Sequence, residues 1–303
     1  MHMFAHVKWF VDENHVDANP LTIPEWFVVG LLLIIGVGVL WAIHRYMQKS
    51  GIEKWLDTKL KRFAKLIPYI VRYTTGILLL INAAKGLLFA PNVPTHVADI
   101  GSVLSIALAI AGIMLIIGFK IRIAAWIILL VYGVSLFAIS PIIDVLDHIE
   151  YAGIGLYLLL FGNAKYEKRF AGKALEPYLS PTGLLRASVG IGLMILALSE
   201  KLIGIANSTA FLQQYHWNFL FTIGVTDRNF IIVAGMVELL VGLTLVLNIA
   251  PRLTTAIVAG LMTMTAILLG VDEIFGHLFV LSLVAVVWLN PHSLGHKGKQ
   301  KTS

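Results

Sequence analysis

Nine stretches of roughly twenty apolar residues recur along this 303-residue chain, and they leave it few ways to fold. They cover about 26–46, 68–90, 98–118, 122–143, 146–162, 182–206, 228–249, 252–271 and 274–290. A helix rises about 1.5 Å per residue, so such a stretch matches the roughly 30 Å hydrocarbon layer of a bilayer, 146–162 only barely. Backbone polar groups inside lipid must be satisfied within the segment, which favours helices. The expected fold class is all-α: a polytopic integral membrane protein of about nine transmembrane helices. Composition agrees, because 58% hydrophobic and 13% charged residues leave little material for a soluble domain.

Charge predicts the orientation. The segment after the first span carries Arg45, Lys49, Lys54, Lys59, Lys61, Arg62 and Lys65. With nine spans, Lys120 and Arg122, then Lys165, Lys168, Arg169 and Lys173, then Arg252 and the 292–303 tail fall on that same face. The opposite face receives little beyond Lys8 and Arg228. Basic residues gather on the cytoplasmic side, so residues 1–25 are expected outside and the C-terminus inside, in a bacterial cytoplasmic (inner) membrane. The start of the chain lacks the basic leader and cleavage site of a removable signal peptide.

Two flanking segments read as interfacial. Within 47–66, Ile52, Trp55, Leu56, Lys59, Leu60 and Phe63 share a helical stripe, which predicts an amphipathic helix lying in the cytoplasmic interface. The aromatic-rich stretch 209–221 is expected in the opposite interface.

The chain has no cysteine, which excludes disulfides, thiolate ligands and a cysteine redox relay. The net charge of +6 sits at span ends and not on one face, so nucleic acid is not an expected partner. Nucleotide loops, HExxH and GxSxG are absent.

Spans two to five and six to nine share a sparse pattern. Arg72 and Arg186 each precede a glycine by four residues, Gly76 and Gly190, and each helix carries a later lysine, Lys85 or Lys201. Gly112 and Gly242 each precede an arginine by ten residues, Arg122 and Arg252. Asp147, His148 and Glu150 open one last span, and Glu273 and His277 the other. Four spans per unit is an even number, so the units should be parallel repeats about the membrane normal.

These residues resemble the DoxX-like family of small four-helix membrane proteins. The second unit, 182–291, carries the whole pattern: Arg186, Gly190, Lys201, "VELLVGLTLVLNIAPR" with Glu238, Gly242 and Arg252, then "EIFGH" with Glu273 and His277. The first unit, 67–163, has Leu108 where the second has Glu238. The resemblance implies two compact four-helix units and a redox setting, with redox-complex subunits as partners and a quinone as the small molecule bound.

Glu238 is the most demanding residue. It lies near the middle of its span, and a carboxylate at that depth needs a partner, a proton or a function. Lys201, Glu273 and His277 should line the same bundle interior, the column opening outward, with water or a ligand bridging Lys201 and Glu238. Glu238, His277, Glu273 and Lys201 are thus the candidates for ligand and proton handling, against a structural role for Glu238 as a paired carboxyl. Glu273 and His277 have the i, i+4 spacing of metal ligands, but two ligands do not make a site. Arg72, Lys85, Arg122, Arg186 and Arg252 read as structural or anchoring residues whose long stems reach the headgroups. His2, His6 and His15 near the N-terminus are weak metal candidates. The expected function is a subunit or accessory of a membrane redox system that binds a quinone or another small amphipathic molecule. The alternatives are a small-solute or proton-coupled transporter or channel, and a non-catalytic scaffold. No motif makes the chain an enzyme by itself.

Overall fold

The computed structural model describes residues 19–162, 180–269 and 277–290, and among these every regular element is helical. Twelve α-helices follow in order: α1 Ile23–Lys49, α2 Ile52–Leu60, α3 Ile67–Ala84, α4 Gly101–Ile117, α5 Ile121–Ala138, α6 Ile143–Leu146, α7 Glu150–Phe161, α8 Pro181–Leu196, α9 Ile205–Tyr215, α10 Asp227–Val246, α11 Pro251–Leu269 and α12 Leu278–Leu289. A six-residue π-helical turn, Ala197–Leu202, extends α8. Among the described residues, five helical segments are long and apolar enough to cross a membrane: Ile23–Lys49, Arg62–Ala84, Ile121–Ala138, Thr182–Leu202 and Asp227–Val246.

The outward faces carry apolar side chains where a water-soluble bundle would be polar. On α4, Val103, Ile106, Ile110, Ile113 and Ile117 point outward at helical spacing, and on α5 so do Ile123, Trp126, Leu130 and Phe137. Such a continuous apolar exterior suits lipid and would be a liability in water.

Packing follows a repeated order. α3 touches α4, α4 touches α5, α5 touches α7, and α7 returns to α3. In the second half α8 touches α10, α10 touches α11, α11 touches α12, and α12 returns to α8. The halves then exchange contacts, α7 packing on α8 and α12 on α3.

Close glycine contacts set the first pairing in each half. A Cβ built on Gly76 would stand 2.9 Å from the Gly112 carbonyl oxygen, and one on Gly190 would stand 2.7 Å from that of Gly242. The same two crossings thus admit no side chain on either helix. The links that follow also share a backbone course. Gly118 and Asn248 are left-handed at φ 73° and 59°, and two residues on Lys120 and Ala250 are left-handed at φ 46° and 43°. Each link then starts a helix that carries an arginine at its second residue, Arg122 or Arg252.

α1 stands at the edge. It begins with a capping box in which Thr22 and Glu25 satisfy each other's backbone donors. It leans on α10, where Gly36 lets Leu240 approach, and only 6% of its most apolar window is buried. Its N-terminal end is tied by a bidentate pair, Arg228 Nε and Nη2 donating to the two oxygens of Glu25 at 2.7 Å each. Arg228 also donates to the carbonyls of Asn19 and Pro20.

Several helix bounds differ from the expected spans. The stretch 68–90 is helical only to Ala84, and Leu88, Phe89 and Val93 then fold back as a buried loop closed by a Leu87–Pro94 bridge. The stretch 209–221 is divided: Phe211 and Leu212 of α9 are core residues, whereas Phe219 and Phe221 are exposed. The predicted stripe of 47–66 is also split. Leu56 and Leu60 are partly buried, Trp55 is 60% exposed, and Glu53 is the buried member of α2. The acid turns inward because Arg252 awaits it there.

Candidate functional site

Two groups of buried polar residues stand out, and they occupy different places. The first is built on the close crossing of α8 and α10. The π-helical turn adds a residue to the backbone ladder and brings Lys201 onto the face toward α10, where Gly235 leaves room. A Cβ at Gly235 would stand 2.9 Å from that of Lys201. One turn further along α10, Lys201 Nζ donates to Glu238 Oε2 at 2.8 Å, with 5% and 8% of the two side chains exposed. The expected water or ligand between them is not needed, because the π-turn carries the ammonium to the carboxylate directly. Leu202, Ile205, Phe211, Phe230 and Leu239 form the apolar cluster of this region. Glu200, next to Lys201, is completely buried, and its carbonyl accepts from Ser208 of α9. Sequence reasoning passed over Glu200, although "LSEKL" in an apolar run is the signal that could have found it.

The second group lines a cleft where the two halves meet. Its walls come from α3 and its following loop, α7, α8, α11 and α12, and its cavity volume is about 60 Å³. Most of the lining is apolar: Leu78, Phe89, Val189, Leu193, Leu196, Met262, Phe279 and Val280. The polar lining is Asp147, His148, Glu150 and Tyr151 from the first half and His277 from the second. Gly192 keeps one wall open, since a Cβ there would stand 3.2 Å from Glu150 Oε2.

The polar members are held in place. Asn92 donates to the Asp144 carbonyl through Nδ2, which turns its Oδ1 toward His148 Nε2 at 3.0 Å. The other ring nitrogen of His148 faces Glu150 Oε1 at 3.3 Å, and Asp147 Oδ1 lies 3.5 Å from Nε2. Tyr151 donates to the Phe89 carbonyl at 2.8 Å and accepts from Asn82 at 3.0 Å. Its ring meets Phe279 edge-on at 4.6 Å, which joins the two halves beside the cleft. A largely apolar lining with a few convergent polar groups has the chemistry of a small-molecule site, in a space smaller than such sites usually have.

The candidates therefore separate. His277 lines the cleft, whereas Lys201 and Glu238 are not among its walls. The single outward column expected for Lys201, Glu238 and His277 is replaced by a buried ion pair and a cleft, because α12 packs its start against the first half. Glu273, His2, His6 and His15 lie outside the described residues. Among those described, no group of three or more His, Asp or Glu side chains has the arrangement of a metal site.

The anchoring residues also divide. Arg186 is buried and donates from Nε to the Leu245 carbonyl at 2.6 Å, satisfying the end of α10. Arg72 takes the corresponding place against Gly118 at the end of α4, its guanidinium over Tyr69 and Tyr73. Arg252 is buried too, and does not reach into headgroups. It donates to the carboxylates of Glu53 and Asp57 and to the Trp288 carbonyl, which clamps α2 onto the end of α12. Arg122 is half-buried. Lys85 is exposed at the end of α3, so it is no counterpart of buried Lys201.

No protein-family model matches this chain, and no curated protein or solved structure does either. Fold and site define a class: an all-helical bundle with several apolar helices suited to membrane integration.

Proposed function

We propose that this is a nine-span membrane protein made of a leading helix and two parallel, DoxX-like four-helix units. In this reading it serves a membrane redox system by binding a quinone or similar small amphipathic molecule. The repeated helix pairing, the two glycine crossings and the matched left-handed links support the two-unit reading. The basic residues of 45–65, with Lys120 and Arg122, support a cytoplasmic placement of that end in a bacterial inner membrane.

The observation that carries the ligand reading is the inter-unit cleft, apolar and aromatic along its length with two histidines and two carboxylates in its lining. A flat ring with carbonyl oxygens fits such a lining chemically. Phe89 and Phe279 supply apolar ring surface, and His277 and Glu150 supply polar groups in the lining, with His148 holding Glu150 in place. Electrons would come from a partner subunit. The test is mass spectrometry of the organic extract of protein purified in mild detergent. A quinone in near-equimolar amount, lost on His277→Ala, is expected. An extract free of quinones and related amphiphiles would count against the reading, and proteoliposome flux of a small solute would favour a transporter.

A further inference from the structure

We infer that α2 and the turn after it form a docking platform for anionic phospholipid headgroups. The inference rests on the bundle crossing a bilayer and is independent of what the cleft binds. Arg252 fixes the platform from behind: Glu53 is 5% exposed, and with Asp57 it is spent on that guanidinium. The exposed side of the segment is therefore cationic, with the apolar side chains of Ile52, Trp55, Phe63 and Leu66 exposed among the charges. Lys49, Lys54, Lys59, Arg62 and Lys65 are all exposed, and Glu53 and Asp57 are the only acids between residues 45 and 66.

Trp55 sits among these cations with its indole outward, at the spacing i, i+4, i+7 with Lys59 and Arg62. An outward tryptophan flanked by lysines suits a membrane interface, with the ring at headgroup level and the ammonium groups beside the phosphates. A free helix could roll to bury Trp55 and turn Glu53 and Asp57 outward among the cations. The Arg252 clamp prevents the roll, so the charged face is presented ready-made.

Cations at a membrane surface each add about 1 kcal/mol of attraction to anionic lipid, or roughly fivefold in binding. The experiment places the full-length protein in nanodiscs of mixed phosphatidylcholine and phosphatidylglycerol, then counts retained lipids by native mass spectrometry. Enrichment of phosphatidylglycerol is expected. It should fall by about tenfold or more in the K54Q/K59Q/R62Q variant and persist in K85Q, which removes an exposed lysine elsewhere. Millimolar inorganic phosphate should not displace the lipid. Equal retention of the two lipids, or equal loss in K85Q and the triple variant, would overturn the platform. Displacement by phosphate would make it a free-anion site instead. Failure of the protein to enter nanodiscs at all would overturn the membrane reading beneath it.

Discussion

At the scale of single residues, Glu238 shows what a buried charge requires. The carboxylate sits near mid-helix, and the structure answers it with Lys201 at 2.8 Å. Breaking one side of a buried pair costs about 3–5 kcal/mol, whereas replacing both partners with apolar groups is often neutral. Glu238→Gln should therefore lower the thermal unfolding midpoint in detergent, because it leaves the Lys201 ammonium without its counter-charge. Replacing both partners, Glu238→Leu with Lys201→Met, should recover most of the loss. If Glu238→Gln were as stable as the wild type, the pair would not be structural. The need for a partner was legible from the sequence, and so was Lys201 as a neighbour. The direct contact was not, because the π-turn that delivers Lys201 is a backbone irregularity with no residue code. Glu53 was hidden for a different reason: on an amphipathic helix an acid reads as outward until its arginine, 199 positions away, is placed.

At the scale of elements, the glycine crossings carry the pairing of α3 with α4 and of α8 with α10. Gly242→Ala puts a methyl against the Gly190 carbonyl oxygen and Met194, and overpacking of that kind costs about 1–3 kcal/mol. Gly112→Ala should do the same at the α3–α4 crossing, with Gly30→Ala on the open side of α1 as the silent control. Denaturation curves that rank all three alike would show that these crossings are not tight. α2 touches α1 and α12, and Arg252 supplies its two ion pairs. Arg252→Gln should free it from the bundle and raise hydrogen exchange over 52–66 well above that of α3, leaving α10 protected. Uniform exchange change, or none, would remove the clamp. Arg-x3-Gly and the glycine before each second arginine were readable because close backbone approach admits almost no other residue. The ends of α3 and α5 were less readable, since apolar loop residues such as Leu88 and Val93 look like helix in a hydropathy pattern.

At the scale of the whole molecule, the packing of α7 on α8 and of α12 on α3 is the feature that sequence could not supply. Asp147, His148 and Glu150 were read as the counterparts of Glu273 and His277. The fold instead brings members of both sets to one cleft, since α7 packs on α8 and α12 on α3. Topology is open to direct test, because the chain has no cysteine of its own. A cysteine at Ile223 should take an impermeant label in intact cells, and one at Lys59 only after permeabilisation. Labelling of both from the same side would undo the proposed orientation.

The cleft itself is tested most directly by closing it. Gly192 lines it, and a leucine there would project toward Asp147 and Glu150 and fill part of the space. The measurement is titration of the reconstituted protein with a short-chain quinone, followed by calorimetry, for wild type and Gly192→Leu. Saturable binding by the wild type, weakened about tenfold or more in Gly192→Leu at unchanged helix content, is the predicted result. Absence of saturable binding, or equal affinity in the filled variant, would contradict a quinone site between the two units.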